Sequence, residues 1–200
     1  MKKLVLWSGG TDSTYLIYKR LKNGEKVDAA YVNLLNNDTK VVRELKAIKA
    51  LKKIFDRDFP EQFIYHGVIF ECDVKQPGGL LVFRQMGIWI QAIISCCSEF
   101  HEVSIGYSMG DDAISYLKDI KKTYKSYKKF QNNEFPKLTF PLKKISKSEI
   151  FDYLPTEIVK LITTCEGGDK KDNCGICHKC LLWKFYEVSG WIYGDKNREF

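Results

Sequence analysis

Short apolar runs alternate along the chain with longer stretches in which apolar residues recur every three or four positions. The first run, 4–7, stops before the glycine pair Gly9–Gly10, and a helical pattern continues from Thr14. An apolar run, a glycine break and a helical repeat predict a strand, a tight turn and a helix. Further strands are predicted at 26–33, 63–68 and 101–108, with a short extended piece at 137–142, and further helices at 41–54, 80–97 and 118–130. Two more helices begin at 146 and 155, and Ser146 with Glu149 three residues later predicts a capping box for the first of them.

Strands that alternate with helices in this rhythm predict an α/β fold with a parallel sheet covered on both faces. The crossover connections of such sheets are right-handed, and their ligands bind beyond the carboxyl ends of the strands. The residues that follow the first strand, from Ser8, and those that follow the second, 33–38, are therefore expected to share one cleft.

The glycine turn after the first strand has the features of an anion site. Glycines adopt backbone angles closed to other residues, and free N–H groups at the start of a helix point at a bound oxyanion. Asp12 is placed to hold a divalent cation that neutralises phosphate charge. The candidate phosphate-binding residues are Ser8, Gly9, Gly10, Thr11, Asp12 and Ser13. The alternative interpretation is a turn that only joins a strand to a helix.

Composition limits the class of protein, but it does not identify the activity. The 200 residues are 44% hydrophobic, which is enough to bury the core of one domain of ordinary size. Four apolar residues before Ser8 are too few for a secretory leader, and no apolar run is long enough to span a membrane. We therefore expect a cytoplasmic protein that does not bind a membrane.

Basic residues are concentrated in one predicted helix. The formal net charge is +7, which favours nucleotide or nucleic-acid partners without selecting either. In the segment 116–130, lysines alternate with Tyr116, Tyr124, Tyr127 and Phe130. We expect a solvated helix face whose aromatic side chains turn inward, and the alternative is a strip that binds a polyanion.

Four of the seven cysteines form a C-x8-C-x2-C-x2-C pattern on a loop that contains glycines: Cys165, Cys174, Cys177 and Cys180. Small turns let four thiolates converge on one tetrahedral zinc ion at about 2.3 Å, and we predict structural zinc here. An iron–sulfur cluster, free thiols and ligation by His178 in place of one cysteine are the alternatives. The remaining cysteines are expected to fill apolar space: Cys72, Cys96 and Cys97.

The turn 8–13 resembles the pyrophosphate loop of the PP-loop ATP pyrophosphatases, enzymes that typically adenylate an oxygen of their substrate and release pyrophosphate. With the four cysteines, the chain resembles the 7-cyano-7-deazaguanine synthase (QueC) family over most of its length. The likeness also covers Gly106 and the segments 140–142 and 146–149. It implies a Rossmann-like adenine nucleotide α-hydrolase fold, with a nucleotide-binding domain at 1–160 and a zinc-binding, helical segment at 161–200 packed on it.

This resemblance also implies an activity and a set of roles. It implies a ligase that forms C–N bonds, using ATP, Mg²⁺ and ammonia to convert 7-carboxy-7-deazaguanine into the corresponding nitrile, with zinc as a structural ion. It implies a homodimer that does not require nucleic acid. The catalytic residues are then Asp12, Arg84 and Lys147, with Lys147 reaching the nucleotide and Arg84 suited to the planar carboxylate of the substrate.

Three segments depart from that family, and one of them is 115–120, where Asp119 matches the family's Asp-Cys-Arg but the arginine is missing. Residues 33–37 carry no cation where the family tends to carry Gln, Arg and His, and the family's Pro-Gly-Arg-Asn element matches either 77–80 or 82–85. The second match supplies Arg84, whereas the first loses both polar residues. An altered substrate, a PP-loop enzyme that modifies a tRNA base, and a zinc-knuckle protein that binds nucleic acid are therefore the alternative functions.

Overall fold

The computed structural model describes residues 2–35, 38–73, 82–130, 134–165 and 174–188. These residues form five strands, β1 (Lys3–Leu6), β2 (Val27–Leu34), β3 (Phe63–Cys72), β4 (Glu102–Ile105) and β5 (Lys137–Thr139). They also form seven α-helices, α1 (Thr11–Lys22), α2 (Asp38–Asp58), α3 (Val82–Cys96), α4 (Leu117–Phe130), α5 (Lys147–Tyr153), α6 (Thr156–Val159) and α7 (His178–Val188). A short 3₁₀ helix, Asp112–Tyr116, leads into α4.

The five strands make one parallel sheet in the order β3-β2-β1-β4-β5. This confirms the predicted α/β class with a parallel sheet. The chain builds outward from β1 in one direction through β2 and β3, and then in the other direction through β4 and β5. Such a reversal opens a crevice at the carboxyl ends of the two central strands, β1 and β4, which is where ligands of these sheets bind.

Helices cover both faces of the sheet because alternate residues of each strand point to opposite sides. In β1 and the residue after it, Val5 and Trp7 face a layer formed by α1, α2, α5 and α6. Leu4 and Leu6 face a second layer formed by α3 and α4. Because side chains on both faces of the sheet are buried, the sequence 4–7 is continuously apolar and does not alternate between apolar and polar residues.

The extended piece predicted at 137–142 is a strand only to Thr139, because the chain turns at 141–144. Two further strands differ from their predicted bounds by three residues or more. The strand predicted at 63–68 continues to Cys72, because a shift in register between β2 and β3 lets Val32, Asn33 and Leu34 pair with the additional residues. The strand predicted at 101–108 ends at Ile105, because Gly106 and the residues after it turn across the beginning of α1 instead of pairing with a neighbour. Both differences lie at the carboxyl end of the sheet.

The helix that follows the cysteine loop packs on the first layer. The ring of Trp183 in α7 lies 5.5 Å from the ring of Phe151 in α5, in an edge-to-face arrangement. The described helices include none that combines the length and the hydropathy needed to cross a membrane.

Candidate functional site

A cleft of about 530 Å³ opens at the carboxyl ends of β1, β2 and β4. One wall carries the glycine turn and the start of α1, and another carries the residues after β4. The segment 163–165, which leads into the cysteine loop, closes a third side. The cleft therefore occupies the crevice that the reversal of strand order predicts.

The glycine turn leaves the start of α1 open to a ligand. Gly10 is the N-cap of α1, and no described side chain caps it. Gly9 has a φ of +71°, and a Cβ on it would lie 3.1 Å from both the Glu44 carbonyl oxygen and the Ala47 Cβ. Only glycine fits this position, since both the backbone angle and the space exclude a side chain. Thr11, Asp12 and Ser13 line the cleft at this uncapped helix start, and the first N–H groups of a helix lack helical partners, so the position suits an anion.

Gly106 brings the end of β4 against the beginning of α1. A Cβ on Gly106 would lie 3.0 Å from the backbone nitrogen of Ser13 and 3.1 Å from the carbonyl carbon of Asp12. The neighbouring atoms belong to a helix backbone and cannot rotate away. Any larger residue would therefore displace the first turn of α1, which carries the candidate phosphate-binding groups.

Lys147 and Asp12 form a salt bridge at the edge of the cleft. Lys147 is the first residue of α5, whose N-cap, Ser146, forms a capping box with Glu149. The backbone N–H of Ser146 donates to the Glu149 carboxylate at 2.8 Å, which fixes where the helix begins. The structure thus brings together two of the residues that the sequence singled out, and the predicted capping box is confirmed.

Arg84 lies in α3, but its side chain is outside the described part of the structure, so its predicted role remains a prediction. Five residues further along α3, Trp89 lines the cleft together with Tyr107. The Trp89 indole N–H donates to the Tyr107 hydroxyl at 2.9 Å. Since the two polar groups bind each other, this wall presents aromatic rings to a ligand.

Among the described residues of the segment 33–38, which was predicted to share the cleft, Leu34 lines it. Lys40 in the following helix α2 also lines the cleft, whereas the Asn33 amide donates to Glu71 on β3 at 2.7 Å. The hydroxyl of Tyr31 donates to Glu44 at 2.5 Å, and burial, followed by the Glu44 charge, raises the pKa of Tyr31 far above its usual range. Tyr31 therefore remains a neutral hydrogen-bond donor at this side of the cleft.

Asp111 and Lys179 also line the cleft, and sequence reasoning did not place either of them there. Asp111 accepts a hydrogen bond from the Ala113 N–H at 3.0 Å and thereby caps the 3₁₀ helix. Burial raises the pKa of the Asp111 carboxyl. The Ala113 hydrogen bond and the charge of Lys179 oppose that shift, while the charge of Asp12 adds to it. No local pattern in the sequence predicts that Asp111 and Lys179 line the same cleft, because residues so far apart in the chain come together only in the folded protein.

The four predicted cysteines converge. Their sulfur atoms all lie within 4.8 Å of one another, and the sulfurs of Cys174 and Cys180 are 3.9 Å apart. A tetrahedral ion with bonds of about 2.3 Å holds its sulfurs about 3.8 Å apart, so this arrangement fits one metal ion. A four-iron cluster would hold the cysteines farther apart, since each binds a different iron atom.

The environment acts in opposite directions on two thiols of this cluster, since burial raises the pKa of Cys180 to about 12 whereas backbone hydrogen bonds favour thiolate at Cys174. The N–H groups of Ile176 and Cys177 lower the pKa of the Cys174 thiol to about 6. Cys165 and Cys180 are buried, so a cation bound there would be shielded from water. Of the other cysteines, Cys97 is buried and its pKa is raised to about 12 by that burial, as expected of a residue that fills apolar space.

The cysteine cluster is joined to the glycine turn by a short segment of backbone. The Thr163 N–H donates to the Gly9 carbonyl at 3.1 Å, and a side-chain N–H of Arg43 donates to the Cys165 carbonyl at 3.4 Å. Cys165 is therefore both a candidate metal ligand and part of the cleft wall. The cysteine cluster and the cleft therefore share one structural support.

The basic helix α4 lies apart from the cleft residues just described. Leu117, Ile120 and Tyr124 face the core, as the predicted helix face requires. However, Tyr116 is 48% exposed and Tyr127 is 43% exposed, so the prediction that these aromatic side chains turn inward is wrong for both. They lie outside the stripe that the buried residues form at every third or fourth position.

Comparison with protein-family models and with curated protein sequences gives no match to this chain. Among solved structures, NMN synthetase from Francisella tularensis is similar over 100% of this chain and 88% of its own length. The TM-score is 0.43 and the sequence identity is 14%. A likeness of this degree says nothing about the substrate, and the function proposed below depends on the residues of the cleft and on the motifs of the sequence.

Proposed function

We propose that this protein uses ATP to activate the carboxylate of a small planar acid and that it joins the activated carbon to ammonia. The observation that carries the proposal is the pairing of Lys147 with Asp12 beside the uncapped start of α1. Backbone amides, a cation and a carboxylate then surround one position in the cleft. These are the groups that bind a triphosphate and stabilise the charge that develops on it during transfer.

In the proposed reaction, a carboxylate oxygen of the acid bonds to the α-phosphorus of ATP, and the bond from that phosphorus to the pyrophosphate oxygen breaks. Ammonia then attacks the acyl carbon, AMP leaves with the carboxylate oxygen, and the nitrogen loses a proton to give the amide. Mg²⁺ would neutralise phosphate charge when bound, and Asp12 fits it because it lines the cleft and offers hard oxygen ligands. The chain itself positions the reactants and offsets charge.

A second activation converts the amide into a nitrile. The amide oxygen bonds to the α-phosphorus of a second ATP, pyrophosphate leaves, and AMP then departs with the oxygen as the nitrogen loses its two remaining protons. We propose 7-carboxy-7-deazaguanine as the acid, because the chain resembles enzymes that act on it. The rings of Trp89 and Tyr107 support a flat heteroaromatic substrate, since stacking on such a wall requires a planar ligand.

One assay tests the proposal. The purified protein is supplied with ATP, Mg²⁺, ammonium and 7-carboxy-7-deazaguanine, and both the nucleotide and the base are followed by mass spectrometry. The proposal requires AMP and pyrophosphate to form together with the amide and the nitrile, and only when the acid is present. If ATP is not consumed with this acid and ammonium, the proposal is wrong.

The exposed face of α4 favours one other candidate, an enzyme that modifies tRNA. Exposed lysines there flank the exposed rings of Tyr116 and Tyr127, and basic residues interleaved with aromatic rings bind single-stranded nucleic acid. The same assay is therefore run with and without tRNA. Consumption of ATP that appears only when tRNA is present would support this second function over the first.

A further inference from the structure

Three lysines line the cleft among the described residues, and they differ in their ionic partners. Lys147 pairs with Asp12, and Lys40 lies 3.9 Å from the Glu44 carboxylate. The described residues give Lys179 no salt bridge. Lys179 is nonetheless half-buried, so it has lost part of its hydration, and no carboxylate of the described residues is paired with it.

The position of Lys179 is set by the cysteine cluster. It lies in the first turn of α7, between the candidate metal ligands Cys177 and Cys180. Its charge acts through space on Asp111, in the loop that follows β4. Tyr107, in the aromatic wall, belongs to the same loop, which places the ammonium group on the β4 side of the cleft.

An acid substrate needs a cation of its own in this cleft. Its carboxylate must approach the phosphates of ATP, and two anions repel each other unless a positive charge lies near both. Lys147 is already engaged beside the glycine turn, where the triphosphate is proposed to bind. A half-buried ammonium group gains the most from an anion that arrives with the substrate, because charge-assisted hydrogen bonds are strong where water is partly excluded.

We infer that Lys179 binds the carboxylate of the acid substrate and thereby selects anionic acceptors. The inference rests on the proposed function, since it assigns a residue to the substrate of that reaction. It places the substrate-binding cation on the cysteine loop, whereas the sequence had suggested Arg84. It also gives the metal cluster a role in the cleft, because the two cysteines on either side of Lys179 hold this turn of α7 in place.

The test uses Lys179→Met, which keeps the length of the side chain and removes its charge, and Lys179→Arg, which restores the charge. Lys184→Met is the matched control, because Lys184 is an exposed lysine of the same helix that does not line the cleft. The Michaelis constants for 7-carboxy-7-deazaguanine and for ATP are measured for each protein. Zinc content and calorimetric binding of ATP with Mg²⁺ are measured in parallel.

We expect Lys179→Met to raise KM for the acid at least about tenfold, as the loss of one charge-assisted hydrogen bond predicts. KM for ATP, ATP binding and zinc content should stay at wild-type levels, Lys179→Arg should recover most of the loss, and Lys184→Met should match the wild type. An unchanged KM for the acid would overturn the inference, and so would a rise confined to KM for ATP. A loss of zinc in both Lys179 variants would show a structural role and would also overturn it.

The two proposals fail in different ways. If the wild-type protein consumes ATP with the acid but Lys179→Met behaves like wild type, the inference about Lys179 is wrong and the proposed function stands. If the wild-type protein consumes no ATP with the acid and ammonium, the proposed function is wrong, and the inference falls with it.

Discussion

Lys147 at the start of α5 forms a salt bridge with Asp12 at the start of α1, although 135 positions separate the two residues in the chain. The two helix starts therefore meet at one edge of the cleft. Asp12 is well placed to exchange this partner for a cation that arrives with ATP, and Lys147 would then be released toward the phosphates. This relationship predicts that charge at Asp12 matters for turnover more than for folding.

The substitution Asp12→Asn tests that prediction, because it keeps the size of the side chain and removes its charge. We expect kcat to fall by about 100-fold or more, as when one preorganised electrostatic group is removed from an active site. The loss of stability should be about 1–3 kcal/mol, because the side chains of Lys147 and Asp12 are only 23% and 13% exposed and the substitution leaves the Lys147 ammonium group without its charged acceptor. Pyrophosphate release and thermal unfolding are measured, with Asp56→Asn on the exposed face of α2 as the control. Wild-type turnover in Asp12→Asn would contradict the assigned site.

A second prediction concerns the contact between Gly106 and the start of α1. In Gly106→Ala, the new methyl group would lie within 3.0 Å of the Ser13 backbone nitrogen, so the first turn of α1 must shift. We expect a destabilisation of about 1–3 kcal/mol, as found for overpacked positions, together with weaker binding of ATP. Both are measured, by urea unfolding and by calorimetry.

Gly87→Ala provides the matched control for that substitution. Gly87 lies within α3, and nothing is found within 4 Å of the position that a Cβ would occupy. Alanine should stabilise this helix by up to about 1 kcal/mol, because glycine is the more flexible residue in the unfolded chain. If Gly106→Ala behaved like Gly87→Ala, the close approach to Ser13 would not constrain the site.

The local features of this fold could be predicted from the sequence. The alternation of strands and helices predicted the parallel sheet, and the pair Ser146 and Glu149 predicted the capping box. In both cases the signal is a pattern among residues that are close together in the chain. The C-x8-C-x2-C-x2-C spacing likewise predicted that the four cysteine sulfurs lie close together. Each of these signals is set by local backbone geometry and side-chain chemistry.

Features that depend on contacts between residues far apart in the chain could not be predicted from the sequence. Lys179 reads as an ordinary lysine of the cysteine loop, and only the packing of α7 brings it to the cleft beside Asp111. The end of β4 at Ile105 depends on how Gly106 meets α1, which a one-dimensional pattern does not contain. The same limit applies to Tyr116 and Tyr127, whose exposure follows from the orientation of α4 and its neighbours.

A third prediction concerns the removal of metal from the cysteine cluster. Cys177→Ser should lose zinc and lower Tm by more than about 5 °C, because a bound metal supplies folding energy to its loop. ATP binding should weaken as well, because the segment that ends at Cys165 also holds the glycine turn through the hydrogen bond from Thr163 to Gly9. Zinc content, Tm and ATP affinity are compared with those of Cys96→Ser, which changes a half-buried cysteine outside the cluster. If Cys177→Ser kept its zinc, the assigned ligand set would be wrong.

The last prediction concerns pH and the partly buried pair of Arg20 and Glu102. The Arg20 guanidinium donates to the Glu102 carboxylate at 2.9 Å, and the Ser104 hydroxyl donates to it at 3.1 Å. Burial raises the pKa of Glu102, but these donors outweigh burial, and the net pKa lies below its usual range. A carboxylate with a lowered pKa in the folded state stabilises the fold above its unfolded pKa, and this contribution is lost as the pH falls through the folded value.

Glu102→Gln should therefore be less stable than wild type by about 1–3 kcal/mol near neutral pH, because Arg20 then loses a charged acceptor. The difference should stay constant from about pH 7 to about pH 5 and should shrink only as the pH falls below about 4.5, since protonation then removes the same charge from the wild-type protein. Urea midpoints measured across this range check the prediction. Glu99→Gln, which breaks an exposed pair with Lys2, should change the midpoint little at any pH. A difference for Glu102→Gln that grew with acidity would mean that burial outweighs the donors and that Glu102 opposes folding when charged.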